Sequence, residues 1–182
     1  MTERSRTRGL WPFGTPRAPR PAERLLEAVA QAARAPALYG EGRVPDTLDG
    51  RLEAMFLHAA LALMRLRAAP EAGGLAQEFA DLLFRHLDEG LRETGVGDLS
   101  VPKTMKRIAG RFYGRLQAYD GALAEAGETA LVDALARNVF NAAPQDAPFA
   151  ATLAAYVRRQ QAALAAAPAE ALLDAATWAA AP

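Results

Sequence analysis

Six apolar residues, Met105, Ile108, Phe112, Leu116, Tyr119 and Leu123, recur at steps of three and four along residues 101–126. That spacing is the period of an α-helix and puts all six on one side of it. So long an apolar stripe has to be covered, and the chain has little with which to build a sheet. Isoleucine occurs once and valine seven times, against 24 leucines and 44 alanines, and no segment alternates with period two. Such a composition favours helices over strands. The expected fold is all-α: a single helical domain of six or seven helices with a flexible basic tail at the N-terminus.

Proline and glycine place the boundaries. Pro21 opens a helix over about 22–35, which stops before Pro36. Asp46 is the expected N-cap of a long helix over 47–68. A third runs over 73–94 and ends at Thr94-Gly95-Val96-Gly97, and Ser100 caps the 101–126 helix. Further helices fit 128–141, 147–166 and 169–179, separated by Pro144, Pro148 and Pro168. The expected organisation is a Pro-rich tail over 1–21 and a helical domain over 22–182.

The 21 basic and 21 acidic side chains sum to zero, which disfavours a globally basic nucleic-acid binder, and DNA is not an expected partner. The zero is an average over blocks. Residues 1–24 carry six arginines against Glu3 and Glu23, net +4, and residues 98–117 carry Lys103, Lys106, Arg107, Arg111 and Arg115 against Asp98, also net +4. The stretches 25–97 and 118–182 are each net −4. Two cationic blocks thus stand in an acidic background. The first, with Trp11 and Phe13 among its arginines, has the makings of a weak tether to an anionic membrane surface. It lacks the apolar run of a secretory signal, and no segment is long and apolar enough to span a membrane.

No cysteine is present, so disulfides, thiolate nucleophiles and thiolate metal sites are excluded. No phosphate loop, dinucleotide fingerprint, nucleophile elbow or zincin motif occurs. His86-Leu87-Asp88-Glu89 lacks the Glu-x-x-His pairing of di-iron bundles. No metal, cofactor or enzymatic activity is expected. His58 and His86 both read as hydrogen-bonded structural histidines.

Two helix faces are candidate binding surfaces. Opposite its stripe, the 101–126 helix carries Lys103, Lys106, Arg107 and Arg111, with Arg115 at the margin and Gly110, Gly114 and Gly121 on the side of the cations. Each mid-helix glycine costs about 1 kcal/mol relative to alanine. A smooth face admits a close helix neighbour, so these glycines mark either an internal crossing or a docking face. The 47–68 helix is apolar on two sides, with Leu57, Leu61 and Met64 opposite Leu48, Leu52, Met55, Ala59, Leu63 and Leu66. It is either central in a bundle or exposes a groove to an apolar client.

One continuous stretch carries a resemblance: Glu93-Thr94-Gly95-Val96-Gly97-Asp98-Leu99-Ser100-Val101-Pro102-Lys103-Thr104-Met105-Lys106, followed by Arg111-Phe112-Tyr113-Gly114-Arg115 and Tyr119-Asp120. It resembles the ubiquinol–cytochrome c chaperone family. So do Tyr39-Gly40, Val44-Pro45-Asp46-Thr47, Gly50-Arg51, His58 and Ala136-Arg137-Asn138-Val139-Phe140. The resemblance spans about residues 36–141 and leaves 1–35 and 142–182 outside.

The resemblance implies an all-α, non-enzymatic assembly chaperone for ubiquinol–cytochrome c reductase that binds newly made cytochrome b. A second assembly factor or the ribosome, and an anionic membrane surface, are the further partners it suggests. It implies a place at the cytoplasmic face of the inner membrane, in a bacterial-type member. The alternative is a peripheral lipid-binding helical module. The expected partner- and client-binding set is Leu57, Leu61, Met64, Lys103, Lys106, Arg107, Gly110, Arg111, Tyr113 and Gly114. Gly95, Gly97 and Asp98 are expected to build the turn before the basic helix.

Overall fold

A computed structural model describes residues 18–93 and 101–182. The expected turn at Gly95, Gly97 and Asp98, the Ser100 cap and the tail over 1–17 lie outside the described residues. Six α-helices are present among the described residues: α1 (Pro21–Ala33), α2 (Leu48–Arg67), α3 (Gly73–Glu93), α4 (Val101–Ala124), α5 (Thr129–Leu135) and α6 (Phe149–Ala166). No strand occurs among the described residues, so the all-α expectation holds.

Helix α1 starts where Pro21 supplies its fixed φ at the first helical position. The Glu23 carboxylate reaches back to accept the Arg20 amide at 2.8 Å. Helix α2 is capped by Thr47, not by Asp46. The Thr47 hydroxyl oxygen accepts the Gly50 amide at 3.1 Å, while Asp46 is drawn off into an ion pair with Arg51 at 2.6 Å. Gly50 is held tightly here, since a Cβ on it would stand 2.0 Å from the Pro45 carbonyl oxygen.

Helix α2 is the axis of the bundle, touching α1, α3, α4 and α6. Its two apolar sides are explained by that position. Leu57 and Leu61 are 1% and 2% exposed and belong to the core, with Leu61 touching only the floor of a small cleft. Met64 is half-buried and borders a cleft of about 250 Å³ with Arg65, Asp120 and Leu164. Phe56 and Phe112 meet edge to face, with centroids 5.4 Å apart, and Phe84 of α3 packs on Phe112 at 5.6 Å. The predicted stripe of α4 faces this core, with Ile108, Phe112, Leu116, Tyr119 and Leu123 buried and Met105 half-buried.

The second half departs from plain helix in two places. After α5 the chain widens into one π turn, Ala136–Phe140, and then reverses at Asn141 with φ 52°. Beyond Pro168 the segment expected as a helix forms two short 3-10 turns, Ala169–Leu173 and Ala175–Thr177. The Asp174 carboxylate accepts the Ala176 amide at 2.9 Å, which breaks the helical ladder between them. Trp178 then folds inward, 7% exposed.

That ending is tied to α2 by polar bonds. His58 is fully buried; its Nδ1 bonds the Ala54 carbonyl and its Nε2 bonds the Tyr156 hydroxyl, both at 2.7 Å. Gln160 donates to the same hydroxyl at 2.6 Å and exchanges bonds with the backbone of Ala179. Arg65 caps the end of α6 by donating to the carbonyls of Leu164 and Ala167, each at 2.8 Å. His58 is thus the structural histidine the sequence implied. His86 is not its counterpart, being exposed on α3.

Candidate functional site

Helix α4 has three kinds of surface, and each cation of its basic block has a distinct environment. Arg111 and Arg115 turn toward α2. Arg111 donates to Glu53 through Nε at 2.8 Å and lies 2.7 Å from it through Nη2. Arg115 reaches the two Glu53 oxygens at 3.0 and 3.1 Å, and Arg111 also bridges to Asp49 at 3.1 Å. Glu53 is only 2% exposed. Two guanidinium groups around one buried carboxylate offset its desolvation and hold α4 against α2. Burial opposes the Arg111 charge, yet its bonds to Asp49 and Glu53 prevail and raise its pKa. Arg111 therefore serves first as an internal clasp, although the helical wheel sets it among the surface cations.

Lys103, Lys106 and Arg107 are exposed and make no ion pair among the described residues. Beside them Gly110, Gly114 and Gly121 are exposed, and a Cβ on any of the three would meet nothing within 4 Å. Among the described residues no helix crosses over these glycines. Tyr113 is 47% exposed and forms the outer edge of the aromatic group, 5.8 Å from the Phe84 ring. The structure therefore brings Lys103, Lys106, Arg107, Gly110, Tyr113 and Gly114 together on one solvent-facing helix. It sets Leu57, Leu61 and Arg111 apart from them.

A second surface feature escaped the sequence reading. A cleft of about 320 Å³ opens between the start of α2 and the π turn, with Arg111 and Arg115 along one wall. Asn138 lines it, and its buried Nδ2 lies against the buried Tyr119 hydroxyl. Burial pushes the Tyr119 pKa well up, with the Glu53 charge adding to it. The cleft is formed by fragments of the family resemblance that lie far apart in the chain, so only folding brings them together.

Among the described residues no group of His, Asp and Glu is placed to hold a metal ion. No helix of the described residues is long and apolar enough to cross a membrane. Among the described residues, α4 presents an exposed, partly cationic face on a helical bundle.

Residues 41–179 match the family model described as ubiquinol–cytochrome c chaperone. The chain belongs to this family. The ubiquinol–cytochrome c chaperone match extends the resemblance past residue 141 to include α6 and Trp178, so the C-terminal part is family structure and not a tail outside it. Among solved structures, the crystal structure of the Cbp3 homolog from Brucella abortus is similar, with a TM-score of 0.73 and 39% identity. The alignment covers 87% of this chain and 92% of that one. No curated protein matches. As a ubiquinol–cytochrome c chaperone, the chain is a non-enzymatic assembly factor.

Proposed function

We propose that this chaperone binds newly made cytochrome b through the outer face of α4 and assists assembly of ubiquinol–cytochrome c reductase while lying against the cytoplasmic face of the inner membrane. The observation that carries the reading is the bare helix itself. Among the described residues Lys103, Lys106 and Arg107 have no ion-pair partner, and a Cβ on any of the three glycines beside them would meet nothing within 4 Å. Alanines there would stabilise the helix by about 1 kcal/mol each. In a chain with 44 alanines, that forgone stability supports a role in contact with another molecule. A helix without Cβ atoms along one side lets a second helix approach closely, and the flanking cations orient an acidic loop or lipid headgroups.

The test is crosslinking from growing cells with a photoreactive residue at position 117, followed by recovery of cytochrome b. In the wild type, cytochrome b is recovered. Gly114→Leu should leave the melting temperature unchanged or slightly raised, because its side chain enters open space. Its cytochrome b yield should fall by about tenfold, equivalent to ~1.4 kcal/mol of binding. Full recovery with Gly114→Leu would remove the α4 face from client binding. No recovery from any variant or the wild type would remove cytochrome b as the client.

The exposed cations also favour contact with anionic lipid. Flotation with anionic vesicles at low salt should carry the protein upward, and Lys103→Glu/Lys106→Glu should abolish this. Equal flotation with neutral vesicles would contradict that electrostatic contact.

A further inference from the structure

Three fragments of the family resemblance, separated by up to about ninety residues, meet at a single place. Pro45, Thr47 and Gly50 come from the first, Arg111 and Arg115 from the second, and Arg137 and Asn138 from the third; all line the 320 Å³ cleft. Client docking on the outer face of α4 gives these fragments no task. Their chemistry converges on one kind of ligand.

The cleft holds three guanidinium groups, Arg111, Arg115 and Arg137, against two carboxylates, Asp49 and Glu53. Arg111 and Arg115 are committed to Glu53 and Asp49. Arg137 is exposed and makes no ion pair or hydrogen bond among the described residues. The positive end of the 20-residue helix α2 opens on the same space through Thr47 and Gly50. Asn138, 8% exposed, keeps its Nδ2 buried beside the Tyr119 hydroxyl. It is held there by the π turn, a departure from regular helix that recurs at functional sites. The site is therefore short of one negative charge.

We infer that this cleft is a carboxylate-binding subsite that takes one carboxylate of a partner polypeptide. A single excess positive charge balances a monoanion. Asp49 and Glu53 along the walls repel the second charge of a phosphate dianion. The planar guanidinium of Arg137 suits the planar carboxylate. A volume of 320 Å³ admits one side chain or one chain terminus and excludes a helix. The inference goes beyond client capture on α4, and its test does not involve cytochrome b.

The test is an NMR titration of the full chain, 19.4 kDa, following the Asn138 side-chain amide and the Arg137 Nε–H. The probes are N-acetylaspartate amide, N-acetylglycine and inorganic phosphate at constant ionic strength. At least one of the two carboxylates should shift both signals saturably, with a dissociation constant of about 1–10 mM as befits one isolated group. The tighter of the two identifies the source as an acidic side chain or a chain terminus. Arg137→Gln, at an exposed position, should keep the wild-type melting temperature and weaken binding by about tenfold or more. No saturable shift with either carboxylate, an unchanged affinity in Arg137→Gln, or phosphate binding as tightly as the carboxylates would each overturn the assignment. None of those results would alter the crosslinking outcome at α4.

Discussion

Gly50→Ala is expected to lower the melting temperature by about 6–12 °C. The added Cβ would stand 2.0 Å from the Pro45 carbonyl oxygen and 3.0 Å from the Pro45 carbonyl carbon. Both are backbone atoms, so no side-chain rotation relieves the clash. The segment before α2 has to peel away from the helix, and two losses follow. The Thr47 cap bond to the Gly50 amide is broken, worth about 0.5–2 kcal/mol. Val44, 1% exposed, is pulled from the core, and overpacking adds roughly 1–3 kcal/mol. A total near 3 kcal/mol corresponds to that thermal shift in a domain of this size. Thermal denaturation followed by circular dichroism measures it. A melting temperature within a degree of wild type would show that Pro45 moves freely and that Gly50 has no steric duty.

Acid should unfold this protein through His58. The imidazole is fully buried between Ala54 and Tyr156, and desolvation lowers its pKa from 6.5 to about 4, with the Ala54 bond opposing the shift. Above pH 6.5 the ring is neutral in both folded and unfolded chains and stability does not depend on it. Between pH 6.5 and about 4 the unfolded chain binds the proton and the folded one does not. Stability then falls by about 1.4 kcal/mol per pH unit, on the order of 3 kcal/mol in all. Below about 4 both states are protonated and the loss is complete. Urea unfolding at pH 7.5, 6.5 and 5.5 reads the slope before most carboxylates titrate. In His58→Gln the dependence between pH 6.5 and 5.5 should vanish, whatever that variant costs at neutral pH. A wild type whose stability is flat over this interval, or a His58 resonance that titrates near 6.5, would contradict the assignment.

The helices were legible because their signals are local. Pro21 announces α1, and the three-four spacing from Met105 to Leu123 reports which side of α4 is buried. What the sequence could not convey is which partner waits across space. Arg111 shares a helical wheel sector with Lys103 and Arg107, and only the position of Glu53, 58 residues away, makes it internal. Leu57 and Leu61 form an apolar stripe whether a client or α6 covers it. Asp46 and Thr47 are both competent caps, and the choice between them turned on Arg51 competing for Asp46. The C-terminal alanines favour a helix, but the Asp174 side chain bonds the backbone locally and Trp178 turns inward to donate to the Leu172 carbonyl. The α4 face was half legible. The wheel gathered its cations and glycines, whereas the absence of any neighbour over Gly110 and Gly114 is a tertiary fact.

The bond from His58 to Tyr156 spans 98 residues and that from Arg65 to Ala167 spans 102. Synthesis is vectorial, so α2 leaves the ribosome long before the groups that satisfy it exist. Through that interval its imidazole and guanidinium must stay in water, and the central helix is kept from settling into a dry core. The closing steps wait for Gln160 and Trp178, so the bundle cannot close while only its first half has been made. A bundle closed this way presents α4 on a finished core only after residue 178 has been made.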